Sequence, residues 1–207
     1  DYAYDYSKYR STMDLYYIDT VSAGFAGVLP EQKGRVSSFA LPSPVQDSET
    51  ISDGHALTVS LDTPYGVLKS ISAYRTMDFG AYQDYSGNSF LNVFRNLELD
   101  SEQKQYSQEV NLVGETDDNQ FNYVVGGYYF RESGEEFATD EIGLISLLSP
   151  RHIGAKNIAS AVYGTLGWRP GGTSPFSVTL GARYTKDKRQ ANNFIVPEVE
   201  STYSKFT

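Results

Sequence analysis

Apolar and polar residues alternate with a period of two along much of this chain. In residues 176–187, the even positions are mostly apolar and the odd positions mostly polar, and stretches 57–62, 106–115 and 121–129 alternate similarly. Successive side chains of a β-strand point to opposite faces, so this pattern predicts strands with one apolar and one polar face. Almost no segment shows the 3.6-residue period of an amphipathic helix.

Short turns and long connecting segments separate these strands. Tight turns are predicted at residues 63–66, 117–119 and 170–173, where Pro, Gly, Asp and Asn cluster. The predicted long loops are residues 21–53, 80–102, 133–155 and 189–199. Soluble domains rarely contain structureless loops of this length, whereas transmembrane β-barrels combine tight turns on one side with long loops on the other. The pattern favours an all-β, antiparallel transmembrane β-barrel over a soluble β-sandwich.

Composition supports this class and excludes others. The 207 residues include 17 Tyr and 11 Phe, and tyrosine is favoured at membrane interfaces because its ring is apolar and its hydroxyl polar. The net charge of −9 argues against a nucleic-acid partner. Without cysteine there is no disulfide and no thiolate metal site. No run of 18 apolar residues predicts a transmembrane helix, and residues 1–10 lack the apolar core of a signal peptide.

Five segments, in this order, resemble strands of the barrel of TonB-dependent outer-membrane receptors. They are LKSISAYRTM (68–77), QYSQEVNLVGE (105–115), FNYVVGGYYFRES (121–133), ASAVYGTLGWRP (159–170) and FSVTLGARYTKDKR (176–189), followed by YSKFT (203–207) as the start of another strand. The resemblance covers roughly residues 55–207. It implies a barrel of about 22 strands, of which about eight are present here. Residues 1–207 are therefore predicted to be a single region from inside a longer barrel, because the family's plug domain is not recognisable.

The resemblance also implies a function. Receptors of this family bind a scarce nutrient (siderophore-bound iron, cobalamin or a saccharide) and import it across the outer membrane of a Gram-negative bacterium with energy from TonB. The expected partners are TonB, through the plug region, outer-membrane lipid and lipopolysaccharide, and the small nutrient ligand. The residues expected to face the lumen, by their parity opposite the apolar face, are Glu109, Asn111, Asn122, Thr165, Thr179 and Arg183.

Two alternative interpretations stay open at this point. Eight strands form the smallest bacterial barrel, so a complete small outer-membrane barrel with a structural or adhesive role also fits the pattern. A soluble carbohydrate-binding β-sandwich would alternate in the same way, with its apolar residues forming the core.

Candidate chemical residues are few. His55 and His152 lie far apart in the sequence, and no nucleophile–base or metal-binding pattern accompanies them, so we expect neither an enzyme nor a cofactor. Five carboxylates cluster in one predicted loop: Glu132, Glu135, Glu136, Asp140 and Glu141. Such a cluster binds a cation or, more often, forms a solvated loop, and we favour the loop.

Two apolar stretches lie in the predicted outer loops. Residues 140–149 predict a short apolar helix or wedge that begins at Thr139 or Asp140 and ends before Pro150, and residues 89–99 are similar. Such residues either pack on neighbouring loops, which we favour, or contact an apolar part of a ligand. The candidate ligand contacts in the outer loops are Tyr82, Tyr85, Phe90, Phe94, Leu144 and Leu147.

Overall fold

The structure is a computed structural model. It describes residues 1–12, 47–87, 92–193 and 196–206, together with the isolated positions 18, 20, 27, 31 and 34. Within residues 196–206, the side chain that is described is that of Lys205. In this part of the chain, no helix is long and apolar enough to cross a membrane.

Eight antiparallel strands form one sheet, in which each strand pairs with the next along the chain. They are β1 (Tyr2–Thr12), β2 (Asp47–Thr63), β3 (Gly66–Asp84), β4 (Arg95–Glu115), β5 (Phe121–Ile142), β6 (Leu147–Trp168), β7 (Val178–Asn193) and β8 (Val196–Phe206). Short 3-10 turns lie at Gly143–Ile145 and Pro170–Gly172. The predicted all-β, antiparallel class and the predicted number of strands are confirmed.

The sheet is open at both edges in the part of the chain that the structure describes. Strand β1 pairs with β2 and strand β8 pairs with β7, and the two edge strands do not pair with each other. A complete eight-stranded barrel joins its first and last strands, and a β-sandwich needs a second sheet. Neither alternative interpretation agrees with the strands described.

The connections at one end of the sheet are as tight as the sequence predicts. Strands β2 and β3 are joined through Pro64–Tyr65, and β6 and β7 through the turn that contains Pro170–Gly172. In the β4–β5 turn, the Asp118 carboxylate accepts hydrogen bonds from the Thr116 hydroxyl (2.5 Å) and the Gln120 backbone amide (3.0 Å). These bonds hold the pKa of the Asp118 carboxyl below its usual value because they stabilise the charged form.

At the other end, the strands are longer than predicted. Residues 133–155, expected to form a loop, continue β5 and β6 as 22-residue strands that pair without interruption from Phe121 and Trp168 to Ile142 and Leu147. The helix expected in residues 140–149 is instead the tip of this hairpin. Alternation between apolar and polar residues is needed only where one face is apolar, so polar strands that extend into water do not show it. The loops expected at 80–102 and 189–199 are also partly strand, because β3 ends at Asp84, β4 begins at Arg95 and β8 begins at Val196.

The remaining predicted loop, residues 21–53, lies mostly outside the described residues, and from Asp47 onward it belongs to β2.

The pairing register assigns the side chains of the sheet to two faces of opposite character. On one, which we call the apolar face, large hydrophobic side chains are exposed: Leu57, Val59, Leu61, Leu68, Tyr74, Tyr106, Val110, Phe121, Val125, Tyr129, Val162, Leu166, Trp168, Val178, Leu180 and Tyr184. The opposite face, which we call the polar face, is different. In strand residues 57–62, 66–74, 106–115, 121–129, 160–168 and 178–184, the large hydrophobic side chains exposed on it are Val67 and Val113. The sheet thus turns its hydrophobic side chains outward and does not bury them in a core.

A charge-free region of the apolar face, which we call the apolar belt, crosses the sheet. It comprises the apolar-face residues of stretches 57–61, 68–74, 106–114, 121–129, 160–168 and 178–184, and contains no Asp, Glu, Lys or Arg. Hydrophobic residues buried elsewhere in the described chain are Tyr82, Ala138 and Ala161. The hydrophobic surface of this sheet is therefore available to an apolar environment outside the chain.

Candidate functional site

All six residues expected to face a lumen lie on the polar face. Glu109 and Asn111 of β4 lie opposite Tyr128 and Gly126 of β5, and Arg183 of β7 lies opposite Tyr163 of β6. The other three, Asn122, Thr165 and Thr179, follow from the same register. The structure brings these residues to one surface, and whether that surface faces a lumen stays a prediction.

Three of the six take part in one network that spans four strands. The Tyr163 hydroxyl donates a hydrogen bond to the Glu109 carboxylate, and the Asn111 side-chain amide donates to the same carboxylate oxygen at 3.2 Å. The Arg183 guanidinium carbon lies 5.7 Å from the centroid of the Tyr163 ring and 6.0 Å from that of Tyr128. Both distances are in the range of cation–π attraction.

Gly126 makes this network possible because it carries no side chain. A Cβ atom at Gly126 would lie 2.5 Å from the Tyr163 hydroxyl oxygen, which is closer than real contacts allow. Tyr163 can therefore reach across β5 to Glu109 on β4 only where β5 has a glycine. In the bulky sequence YVVGGYY, the first glycine, Gly126, is therefore needed because the Tyr163 side chain passes directly over it.

The same arrangement recurs near the first strands. The Arg75 guanidinium donates to both Asp5 carboxylate oxygens at 3.0 Å, across β2 from β3 to β1. A Cβ atom at Gly54, between them, would lie 2.5 Å from one of these oxygens. Glycines in the middle strand thus let charged pairs on the polar face bridge three strands.

The polar face offers both charge signs, hydroxyl and amide groups, and aromatic rings next to a guanidinium. Such a surface can bind a polar ligand or a second domain by hydrogen bonds and ring contacts. Sequence reasoning missed Tyr128 and Tyr163, although the parity that selected Asn122 and Thr165 also places them on this face.

The candidate ligand contacts in the outer loops lie at the end of the β3–β4 hairpin and at the tip of the β5–β6 hairpin. Tyr82 is 5% exposed and is therefore the buried member of this group, and its contact with a ligand stays a prediction. Tyr85 and Phe94 are each 37% exposed, with ring centroids 5.5 Å apart, and the Tyr85 amide donates to the Phe94 carbonyl at 3.0 Å. Leu144 and Leu147 are exposed at the tip of the β5–β6 hairpin, and Phe90 lies outside the described residues.

Two contacts join these places into one surface. The Gly143 amide donates to the Val93 carbonyl at 3.2 Å, and Arg95 forms an ion pair with Glu141. The Glu141 carboxylate raises the pKa of the Arg95 guanidinium, as expected for a hydrogen-bonded ion pair. The β5–β6 tip therefore lies against the end of the β3–β4 hairpin through polar contacts, while Leu144 and Leu147 stay exposed. Whether these apolar stretches pack on neighbouring loops or contact a ligand stays a prediction.

The carboxylates expected in one acidic loop do not converge. Glu132, Glu136 and Asp140 lie on the polar face, whereas Glu135 and Glu141 lie on the other. Each carboxylate also has its own partner: the amides of Gln103 and Gln105 for Glu132, His152 for Glu135, Arg151 for Glu136, Asn96 for Asp140 and Arg95 for Glu141. Within the described residues, no group of three or more His, Cys, Asp or Glu side chains is placed to hold a metal ion.

The two histidines occupy separate positions. The Nδ1 atom of His55 lies 2.6 Å from the Tyr2 hydroxyl, and the His152 ring stacks on Phe137 with centroids 3.7 Å apart. Each histidine has a carboxylate near its Nε2 atom, Asp53 at 3.8 Å and Glu135 at 3.4 Å, but the two sites are unconnected. Their arrangement provides no shared catalytic centre.

The fold and the two faces define a class of structure: an open antiparallel sheet that is one part of the wall of a β-barrel, with a hydrophobic outside. Among solved structures, the chain is similar to the ferric yersiniabactin uptake receptor FyuA from Yersinia pestis, with a TM-score of 0.70 and 17% sequence identity. The similarity covers 100% of this chain and 30% of that receptor, so the chain spans less than a third of its length. No protein-family model and no curated protein matches the chain.

At this level of identity, the similarity shows the fold, and it confirms the resemblance predicted from the five strand segments. The similar protein is an uptake receptor, and the expectation that this chain is not an enzyme stays a prediction.

Proposed function

We propose that this chain forms part of the barrel wall of an outer-membrane active-transport receptor in a Gram-negative bacterium. The observation that carries the proposal is the apolar belt, a surface of exposed hydrophobic side chains without a charge. Exposed hydrophobic surface of this extent is found where lipid or a partner covers it. The open edges of the sheet and its 30% coverage of a larger receptor support the further proposal that other strands complete the barrel.

The height of the belt matches a membrane. In β5 the belt runs from Phe121 to Tyr129, which is nine residues of strand. At a rise of about 3.4 Å per residue and a tilt of about 40°, this length spans about 23 Å along the membrane normal, close to the ~25 Å apolar band of outer-membrane barrels. Tyr74, Tyr106, Tyr129 and Tyr184 lie at the end of the belt nearer the long hairpins, where a ring of interfacial tyrosines is expected.

Three polar side chains of the belt satisfy one another. The Ser72 hydroxyl donates to the Gln108 side-chain oxygen at 2.5 Å, and the Gln108 amide donates to the Ser70 hydroxyl at 2.9 Å. An unpaired polar group in hydrocarbon costs several kcal/mol, so this mutual pairing makes the three residues compatible with a lipid environment.

The nutrient that we propose first is a ferric siderophore. The support is the similarity to FyuA, which takes up ferric yersiniabactin, with cobalamin and saccharides as the other candidates from the family resemblance. In this proposal the polar face, including the Glu109–Tyr163–Arg183 network, lines the lumen and contacts the plug or the ligand. The exposed residues Tyr85, Phe94, Leu144 and Leu147 contact the ligand at the outer surface, and TonB supplies energy through the plug.

Nitroxide spin labels test the placement in the membrane. In the protein expressed from its complete reading frame and reconstituted in vesicles, labels at Val178 and Leu180 should collide mainly with oxygen, which concentrates in lipid. Labels at Thr179 and Arg183, on the polar face of the same strand, should collide mainly with a water-soluble nickel chelate. Equal polarity at the two pairs of positions would contradict the assignment of faces.

Iron-limited growth tests the transport proposal. A strain that lacks this protein should lose uptake of a radiolabelled ferric siderophore that the parent strain accumulates, and removal of TonB from the parent should abolish the same uptake. A family of siderophores, with cobalamin and a saccharide in parallel, identifies the nutrient. Uptake that continues without TonB would exclude TonB-driven transport, even if the barrel placement is correct.

A further inference from the structure

A basic residue lies just beyond the apolar belt on three strands in one half of the sheet. On the apolar face of β4, β5 and β7, the last tyrosine of the belt is followed two positions further out by a cation: Tyr106 by Lys104, Tyr129 by Arg131 and Tyr184 by Lys186. Because the spacing is two residues, each cation points to the same side of the sheet as its tyrosine.

Two further cations complete this group. Ile158 of β6 is paired with Arg131 of β5 on one side and with Lys188 of β7 on the other, so Lys188 lies level with Arg131. Lys156 of β6 is paired with Ser133 of β5 and Gln190 of β7. We call these five residues the basic rim: Lys104, Arg131, Lys156, Lys186 and Lys188. They occupy four adjacent strands of a chain whose net charge is −9.

Three of these five cations form no ion pair with any residue that the structure describes: Arg131, Lys156 and Lys186. The Lys104 ammonium lies 3.6 Å from Glu102, and Lys188 has a partner of its own. Among the side chains that the structure describes, the acidic residues nearest to the rim on the same face are Glu102 and Glu135, and Glu135 is close to His152. Glu200 of β8 is opposite Gln190 in the pairing register. A surface depression of about 230 Å³ lies beside the rim, and its charged lining residues are Lys104, Lys156, Glu102 and Glu135.

On β1 to β3, the cations beyond the apolar belt are paired with carboxylates. On β1 and β2, Lys8 lies 2.9 Å from Glu49, and Arg10 also pairs with Glu49. Arg10 and Lys8 hold the pKa of the Glu49 carboxyl below its usual value. With Asp53 and Asp78 on the same face, this half has no excess of positive charge. The three rim cations that have no ion pair with a described residue therefore lie on β5, β6 and β7.

We propose that the basic rim binds the phosphate groups of an anionic lipid in the leaflet that surrounds the barrel. The inference rests on the proposed membrane placement. Lipid phosphates lie directly beyond the level at which interfacial tyrosines pack, which is the level of the rim. Long Lys and Arg side chains reach this level while their stems cover apolar surface, and the Arg131 guanidinium can bind a phosphate through two parallel hydrogen bonds.

Charge complementarity selects this occupant, and the position of the rim selects its source. The cations lie on the same face as the apolar belt and next to its edge. A lipid whose phosphates bind the rim therefore also packs its acyl chains against the belt, whereas a free phosphate ion makes no contact with the belt. A lipid with two phosphates suits cations that are spread over adjacent strands about 4.8 Å apart.

The test compares lipid binding by the parent and by a triple variant, Arg131→Gln, Lys156→Gln and Lys186→Gln, of the protein expressed from its complete reading frame. The probe is bisphosphorylated lipid A, titrated in detergent and followed by native mass spectrometry. We expect a loss of roughly fivefold per cation, and so a loss of about a hundredfold for the triple variant. Affinity for dephosphorylated lipid A should not change.

Two matched variants control for the loss of charge alone. Lys8→Gln removes a cation on the same face that is paired with Glu49, and Lys69→Gln removes one on the polar face. Both should bind lipid A like the parent. If the triple variant does not fold, judged by its heat-dependent shift on a gel, Lys186→Gln alone should still lower the affinity by about fivefold.

The outcomes separate this inference from the proposed function. Equal affinity of parent and variants for lipid A, or displacement of lipid A by equimolar inorganic phosphate, overturns the inference. If the parent floats with vesicles but does not prefer phosphorylated lipid A, the lipid site is wrong and the barrel placement stands. If the parent does not float with vesicles, the barrel placement and the lipid site are both wrong.

Discussion

An arginine in place of Val125 is expected to lower the free energy of unfolding in a bilayer by about 2–4 kcal/mol. Val125 lies midway between Phe121 and Tyr129 on the apolar face and is 53% exposed. Its neighbours on the adjacent strands are Leu112 and Gly164, so no anion of the belt can pair with a new cation there. The guanidinium must either enter hydrocarbon or distort the bilayer to reach water.

The matched control is Thr165→Arg, an exposed position on the polar face of the neighbouring strand. It should change the unfolding free energy by less than about 1 kcal/mol, because a lumen is wet. Guanidinium-induced unfolding from vesicles, followed by intrinsic fluorescence, measures both variants. Equal destabilisation by the two arginines would show that the apolar face does not contact lipid.

Alanine in place of Gly172 should destabilise the protein by about 3 kcal/mol or more, whereas alanine at Gly171 should cost only about 1 kcal/mol. Both glycines have a left-handed backbone, with φ of +61° at Gly171 and +69° at Gly172, so both substitutions introduce the same kind of strain. They differ in space. A Cβ atom at Gly172 would lie 2.2 Å from the Asp118 carbonyl oxygen, and at Gly171 no atom lies within 4 Å.

The physical reason is that two turns pack against each other. The Arg169 amide donates to the Gln120 carbonyl at 2.8 Å, which holds the β6–β7 turn beside the β4–β5 turn. A methyl group at Gly172 must push these backbones apart, and neither can yield as a flexible side chain would. Denaturant unfolding of the two alanine variants measures the difference. If their unfolding midpoints coincide, the turns are not in close contact.

The polar network shows how far sequence reasoning reaches. Parity alone placed Glu109, Asn111 and Arg183 on one face, because side chains in a strand alternate whatever the partner strand. That Tyr163 bonds Glu109 and lies beside Arg183 could not be predicted, since it depends on which residues are opposite each other in three pairings. A shift of one residue in any pairing would move half of the network to the other face.

The outer part of the β5–β6 hairpin shows where sequence reasoning failed. Residues 133–155 were predicted to form a loop because their polar and apolar residues do not alternate, yet they pair in register over their whole length. Backbone hydrogen bonds alone make such strands, and side chains in water leave no pattern that reveals them. Tyr82 was likewise placed in a loop, residues 80–102, whereas it belongs to β3 and is 5% exposed.

Sequence alone determined that the chain forms antiparallel strands, where the tight turns lie and which side chains share a face, because these features depend on local geometry with a period of two. The tertiary structure decided which residues meet across strands. It made one network of Glu109, Tyr163 and Arg183, and it gathered the cations of the basic rim from four strands. Those juxtapositions depend on register, and register is set by backbone pairing between segments that are distant in the sequence.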